Sequence, residues 1–313
     1  MVETTKINIG HLSTLYHTSF ILMGTDWLGK SGIQANWNLF ASGPDIVKAF
    51  ENKEIDIGYI GLPPALIGID RGVPLVCVAG GHVEGTVLIA RKNYRTYAEL
   101  NDINIAMLQF EGKFIGSPPK GSIHDVIINN IINEKGLDIK VKNYPWTDFV
   151  LEALLDGDID AAVGTPSLAV AAANACGAKI IIPPHMLWPD NPSYGIVIHK
   201  DLMRHPYVIL KFLNEHEKAS NFIRNHPIEA SRLVSRLTGI VDEKFVLDAY
   251  RISPNYCAAL SKEFVASTMA FVPVLHRLKY ISKIISEREI FEYCFIENIH
   301  KEEPHYKHHN VSL

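Results

Sequence analysis

"GYIGLPPALIGIDRG" (58–72) and "AVGTPSLAVAAANACG" (162–177) carry one message twice, about a hundred residues apart. Each leaves an Ile-Asp strand signal, reaches Gly-x-Pro, runs through small apolar residues and stops at Gly. Gly61 and Gly164 let backbone approach closely. Pro63 and Pro166 open each helix in the turn where a missing N–H costs least. Gly72 and Gly177 suit helix C-termini. A strand that turns directly into a helix presents the helix N-terminus at the carboxyl end of a sheet. Ligands of α/β proteins gather there, and the unpaired N–H groups favour negative charge. Two such units predict two lobes facing each other across a shared hollow.

The surrounding sequence extends the pattern. "KINIGHL" (6–12), "IQANWNLF" (33–40), "IDIGYIG" (55–61), "PLVCVAGG" (74–81) and "TVLIARK" (86–92) read as strands. "SGPDIVKAFENKE" (42–54) reads as a helix, with Pro44 in its first turn and Ile46, Val47 and Phe50 on one face. The alternation then restarts. "INIAML" (103–108), "IKVKNY" (139–144), "IDAAVG" (159–164), "AKIIIPP" (178–184) and "YGIVIHK" (194–200) read as strands, and "FEGKFIGSPPKG" (110–121) as a loop. "SIHDVIINNIINEKG" (122–136) is a helix with Ser122 and Asp125 as a capping box, and "TDFVLEALLDG" (147–157) a helix capped by Thr147. From Leu202 the code is helical, including "SEREIFEYCF" (286–295). The tail "HKEEPHYKHHNVSL" lacks periodicity and reads as frayed. Alternating strands and helices predict parallel sheets covered on both faces. The chain leaves the first lobe near Leu88 and returns near Ile196, a double hinge. This gives a first lobe of 1–88 plus 197–313, with the C-terminal helices packed mostly on it, and a second lobe of 89–196.

The bulk numbers fit. The 313 residues are enough for two lobes. Hydrophobic content of 47% and charged content of 20% describe a globular protein. The net charge of −4 gives no reason to expect nucleic acid or an anionic membrane as partner. No apolar run reaches membrane-spanning length. "MVETTKINIG" lacks the basic region and apolar core of a secretory leader, so the expectation is either a cytoplasmic protein or a mature form that has lost one.

Chemical motifs are sparse. Cys77, Cys176, Cys257 and Cys294 form no C-x-x-C pair, and neither a disulfide nor a metal is expected of them. G-x-S-x-G, Walker and H-E-x-x-H patterns are missing. "GSPPKGS" (116–122) has the wrong spacing for a P-loop and reads as a loop shaped over the cleft. His11, His17, His82, Glu84 and His124 map near the cleft mouth, but their spacing demands no metal. His300, His305, His308 and His309 read as a tail, not a site.

The stretches 7–23, 40–80 and 154–170 resemble the type II periplasmic-binding-protein fold, and within it the nitrate/sulfonate/taurine substrate-binding branch of the NMT1/THI5-like superfamily. The resemblance covers about 1–250. It implies two doubly wound α/β lobes joined by a two-stranded hinge, with a helical C-terminal extension. It places ligand contacts in the first lobe at Ser13, Thr14 and His17, at Ser42 and Gly43, at Gly61, Leu62 and Pro63, and at His82 and Glu84. From the second lobe it places Gly121 and Ser122, Trp146 and Asp148, and Gly164 and Thr165, with Tyr194 at the return crossing. The implied function is solute binding for an ABC-type importer, the solute being small and polar or anionic, of the sulfonate, nitrate or thiamine-precursor class. No catalytic residue, metal or cofactor is implied. The implied partners are the small-molecule ligand and, if the protein is exported, an ABC permease; the chain is expected to be a monomer. The alternative on the same fold is a cytoplasmic enzyme resembling thiamine-pyrimidine synthases. These use a reactive His, matched by His17, and a pyridoxal phosphate lysine, for which Lys48 or Lys53 is the candidate. Their Cys-rich iron motif is missing here.

Overall fold

The structure, a computed structural model, describes residues 4–306. Its strands are β1 (Thr5–Leu12), β2 (Ile33–Phe40), β3 (Ile57–Ile60), β4 (Leu75–Val83), β5 (Val87–Ala90), β6 (Phe114–Ser117), β7 (Lys140–Asn143), β8 (Ala161–Gly164), β9 (Lys179–Ile182) and β10 (Pro192–His199). They form two five-stranded sheets, ordered β2-β1-β3-β10-β4 and β7-β6-β8-β5-β9.

The two orders are the same topology. Within each sheet the sequence is second, first, third, an exchanged strand, then fourth. The exchanged strand is β10 in the first sheet and β5 in the second, and each runs antiparallel to both neighbours. The sheets are therefore parallel except for one strand each, and the chain passes between them twice, between Val83 and Val87 and between Ile182 and Pro192. The expected crossing points, Leu88 and Ile196, lie inside β5 and β10. The doubled phrase occupies equivalent places: β3 runs into the helix Leu62–Asp70 and β8 into the helix Pro166–Cys176.

Sequence explains which strands sit where. β4 and β10 are buried along their whole lengths, with apolar cores at 75–79 and 196–198; β4 ends its sheet but is covered there, Phe291 bridging to Cys77. β2 and β7 are edges and carry Gln34, Asn36 and Asn38, and Lys140 and Lys142.

"INIAML" is a helix, Ile103–Leu108, not a strand. Asp102 caps it, accepting from the N–H groups of Asn104 at 2.6 Å and Ile105 at 3.2 Å. The strand lies instead inside the expected loop, as β6. A Cβ on Gly116 would meet Ile159 Cδ1 at 2.3 Å, so this glycine serves close packing rather than a turn. "SEREIFEYCF" is also not one helix. It breaks between Glu287–Ile290 and Cys294–Ile299, and Phe291 bridges to Cys77 of β4.

The C-terminal helices bury Ile209, Phe212, Leu213, Val234 and Val246 against Ile7, Tyr59, Val76 and Val78 of the first sheet. They also reach the second lobe: Glu243–Ile252 packs on Pro166–Cys176, and Lys262–Arg277 on Ile123–Lys135. The tail is not frayed through 306, because Tyr306 is buried with its hydroxyl donating to Cys257 O at 2.6 Å. His308 and His309 lie outside the described residues. No helix among the described residues is long and apolar enough to cross a membrane.

Candidate functional site

Five helices of eight residues or more begin at or beside one hollow between the two sheets. They are Gly43–Glu51 and Leu62–Asp70 on the first side, and Ile123–Lys135, Thr147–Asp156 and Pro166–Cys176 on the second. Amides in the first turn of a helix have no acceptor within it and carry the positive end of its dipole. The cavity is about 50 Å³. The end of β1 and the turn after it supply Leu12, Ser13, Thr14, Tyr16 and His17 to its wall, and the entry to Gly43–Glu51 supplies Ala41, Ser42 and Gly43. Gly61, Pro64 and Ser193 complete the first side; Pro118, Ser122, Ile123, His124, Thr147 and Thr165 form the second. None of these described lining residues is Lys, Arg, Asp or Glu.

The hydroxyls have two roles. Ser42, Ser122 and Thr165 cap their helices, accepting from Asp45 N at 3.3 Å, Asp125 N at 3.3 Å and Leu168 N at 3.2 Å. Ser42 spends its proton on Asp45 Oδ2 at 2.6 Å. Capping uses only acceptor capacity at Ser122 and Thr165, so their protons can donate to a guest. The capping box at Ser122 is not reciprocal. Asp125 Oδ2 accepts from Gly121 N at 2.8 Å, while Ser122 N bonds Pro119 O.

His17 is 2% exposed, and among the described residues its Nδ1 is buried without a hydrogen-bond partner. Its ring lies 4.1 Å from that of Tyr194. Burial drives its pKa well below the usual value, with His82, His11 and His124 adding to the effect. His124 is held down to about 4 by burial, and its Nδ1 meets Thr86 Oγ1 at 3.0 Å. Both imidazoles are neutral at pH 7. The hollow thus offers backbone dipoles, hydroxyls and neutral rings, with no formal charge.

Behind His17 runs an ordered relay. His216 Nε2 faces the carbonyl of Gly80 at 2.8 Å and so carries its proton. Its Nδ1 then accepts from Thr18 Oγ1 at 3.1 Å, which accepts from the Tyr194 hydroxyl at 3.1 Å. Tyr194 is completely buried, and its hydroxyl is directed at Thr18, so it supports His17 from the second layer.

Of the expected contacts, the structure gathers Ser13, Thr14, His17, Ser42, Gly43, Gly61, Ser122 and Thr165 around the hollow. Asp148 lines an adjoining depression, and Gly121 lines a separate one with Pro44, Lys120 and Tyr280. Leu62 and Pro63 are buried in the first turn of their helix. Gly164 ends β8, where a Cβ would meet Leu168 Cδ2 at 2.5 Å. Trp146 is the residue before Thr147–Asp156, and its Nε1 is buried. His82 Nε2 donates to Ser253 O at 2.7 Å. Glu84 belongs to the hinge. It adopts φ +63°, its N–H bonds Asn191 O at 2.8 Å, and its carboxylate accepts from Asn255 Nδ2 at 2.9 Å and Asp190 N at 3.3 Å. It ties the first crossing to the second.

Sequence reasoning overlooked Tyr16, Ser193 and Pro118. Tyr16 shares the turn of Thr14 and His17, and its hydroxyl lies 3.0 Å from Ser193 Oγ. Alternation along β10 was the available signal for Ser193, since a residue beside a core-facing Tyr194 points the other way. Lys48 and Lys53 are exposed, and Lys53 pairs with Asp201. Neither lines the hollow.

Two five-stranded α/β lobes of identical strand order, joined by two crossings and sharing a hollow at their helix starts, define the type II periplasmic-binding-protein fold. The chain belongs to the NMT1-like family, whose model matches residues 1–238. It is 23% identical over 246 residues to a Brucella abortus (strain 2308) protein named "Putative binding protein", covering 75% of this chain and 72% of that one. It is 22% identical over 277 residues to a "Putative aliphatic sulfonates-binding protein" of Bacillus subtilis (strain 168), covering 87% of this chain and 80% of that one. The alkanesulfonate-binding protein SsuA of Xanthomonas axonopodis pv. citri, solved bound to MOPS, shares the fold with a TM-score of 0.76 at 16% identity, over 93% of this chain and 99% of that one.

Proposed function

We propose that the protein is the solute-binding component of an ABC-type importer and closes its lobes over a small monoanion, with an aliphatic sulfonate as the best-fitting class. One observation carries the reading: helix N-termini from both lobes converge on a hollow whose described lining holds no ionised side chain. Such a site neutralises one negative charge through backbone dipoles. It offers no lysine or arginine for a phosphodianion.

Size and polarity support the same class. A cavity of about 50 Å³ holds a few water-sized groups, enough for a compact anionic head. The adjoining depression, about 170 Å³, shares Ser13, Thr14, Thr147 and Thr165 with it. Its far wall is mostly apolar, built from Leu151, Leu168, Ala171, Ile240, Val241 and Phe245, with Asp148 and Ser167 also in the lining. A polar head between the helix starts and a short alkyl chain toward Phe245 fit this layout. The sulfonate-binding names of the relatives point the same way.

The reading takes the outer segments, through Val83 and from Pro192, and the middle segment, 87–182, as bodies moving about the two crossings, in place of the expected 1–88 plus 197–313 and 89–196, bounds that cut β5 and β10. Ser13, Thr14, His17, Ser122 and Thr165 are the ligand contacts, the protein works as a monomer, and an ABC permease recognises the closed lobes. Calorimetric titration with methanesulfonate, ethanesulfonate, taurine and nitrate tests it. Saturable binding of at least one, weakened tenfold or more in His17→Ala, supports the reading. Heat-silent titrations with no thermal stabilisation by any of the four would overturn it, and so would binding indifferent to His17.

A further inference from the structure

A second cluster lies away from the hollow, where the C-terminal segment folds back on the first lobe. Cys257 is completely buried. His300 Nε2 is 3.8 Å from its Sγ, and His305 Nδ1 is 3.7 Å from it. All three atoms lie within 4.8 Å of one another. We propose that Cys257, His300 and His305 form a binding site for a zinc-class divalent cation.

The distances favour a shared ion over hydrogen bonding. One thiol proton cannot satisfy two imidazoles, and both separations are long for such bonds. With Zn–S near 2.3 Å and Zn–N near 2.0–2.1 Å, tetrahedral ligands S and N stand about 3.5 Å apart. The two S–N distances, 3.8 and 3.7 Å, are close to this value.

The outer partners are the stronger argument. His300 Nδ1 lies 3.1 Å from Glu217 Oε1, and His305 Nε2 lies 3.2 Å from Glu302 Oε2. Each ring therefore has a carboxylate on its far nitrogen, which places the proton there and turns the other lone pair toward the sulfur. Metal-bound histidines are held in this way, and the carboxylate raises their basicity. The backbone N–H of His305 also points at Cys257 Sγ at 3.3 Å and fixes the sulfur beside the two rings. One thiolate and two imidazoles suit zinc or cobalt and not magnesium or calcium. Three protein ligands leave a fourth position for water or another donor.

The site joins two parts of the chain. Cys257 N bonds Gly81 O at 3.3 Å, and Tyr256 bridges to His82, so Cys257 lies against the strand that leads into the first crossing. A bound ion fastens residues 300–305 to that strand. This inference stands apart from the solute reading and shares no residue with the hollow.

Chelator-stripped full-length protein is titrated with Co²⁺ and then Zn²⁺. The expected result is one tight equivalent of cobalt with a thiolate-to-cobalt charge-transfer band, displaced by zinc, and a rise in melting temperature with zinc. Cys257→Ser loses the band and the zinc-dependent rise. Glu217→Gln weakens zinc binding 10- to 100-fold. His305→Ala, at a partly exposed side chain, weakens binding in the same way and covers the case in which the Cys257 variant fails to fold. A cobalt complex without the thiolate band overturns the site. So does uptake equal in wild type and His305→Ala, which would trace binding to other histidines.

Discussion

Gly61 and Ile123 face each other across the hollow: a Cβ built on Gly61 would lie 3.4 Å from Ile123 Cβ and Cγ2, and 3.1 Å from Ser193 O. One belongs to the first lobe and the other to the first turn of a second-lobe helix. The two lobes already approach to contact distance here, and the absent side chain permits it. The backbone at φ −61° and ψ 146° suits alanine, but the new Cβ presses on Ser193 O of the neighbouring strand, so Gly61→Ala is expected to cost the ligand-free fold about 1 kcal/mol. It is expected to weaken ligand binding by about tenfold, the ~1.4 kcal/mol of modest overpacking. Calorimetry of the variant with the best sulfonate measures this. Unchanged affinity would show that the two residues do not approach on binding.

Thr165 separates capping from ligand contact. Thr165→Ala removes the bond from Leu168 N and is expected to cost about 1 kcal/mol of stability in urea unfolding. Thr165→Ser keeps both cap and donor and should restore stability and affinity together. If Thr165→Ala loses stability while ligand affinity stays at the wild-type value, Thr165 is a cap only.

Buried histidines set the acid limit. His82, His124 and His216 are each held at about 4 by burial, and His17 is also well below its ordinary value. Unfolded, they titrate near 6.5. Between pH 6.5 and 4 the unfolded chain binds protons that the folded one does not, so their stabilisation is full above 6.5 and is lost as pH falls. Each histidine contributes a slope of up to about 1.4 kcal/mol per pH unit in that window. Melting temperatures measured from pH 7 to 4.5 are expected to fall steeply, and His124→Gln should flatten the curve. Parallel curves for the two proteins would contradict this assignment.

Asp125 organises the loop beside the hollow. Its buried carboxylate accepts from Gly121 N at 2.8 Å, Asn129 Nδ2 at 2.9 Å, Asn143 Nδ2 at 2.8 Å and the Tyr280 hydroxyl at 2.6 Å. Asp125→Asn keeps the shape but turns an NH₂ toward donors, at an expected cost of about 2–3 kcal/mol. Tyr280→Phe removes one of the four bonds and is expected to cost about 1 kcal/mol. The double variant should lose less than the sum, because both act on one carboxylate. Denaturant midpoints of the three proteins decide it.

The features written in local code were readable without coordinates. Gly-x-Pro followed by a small apolar run places Gly61 and Thr165, and Ser or Thr ahead of a helix places Ser42 and Ser122. Features set by tertiary contact were not. "INIAML" alternates like a strand over six residues, too few to separate the two periods, and Asp102 decides in favour of a helix. The two crossings were legible near Leu88 and Ile196, but which sheet β5 and β10 join was not, since their apolar cores fit either sheet. The resemblance implies Tyr194 as a cleft residue at the return crossing, yet its hydroxyl is taken up by Thr18. Cys257 and its two histidines are 43 and 48 positions apart, so no spacing motif announces them.

Amide hydrogen exchange with and without the tightest-binding alkanesulfonate tests the two-lobed clamp most directly. The account predicts slower exchange on both sides of the hollow at once, at 42–46 in the first lobe and at 122–126, 147–149 and 165–168 in the second. Protection confined to one lobe, or located at the depression beside Lys120 and Tyr280, would contradict it.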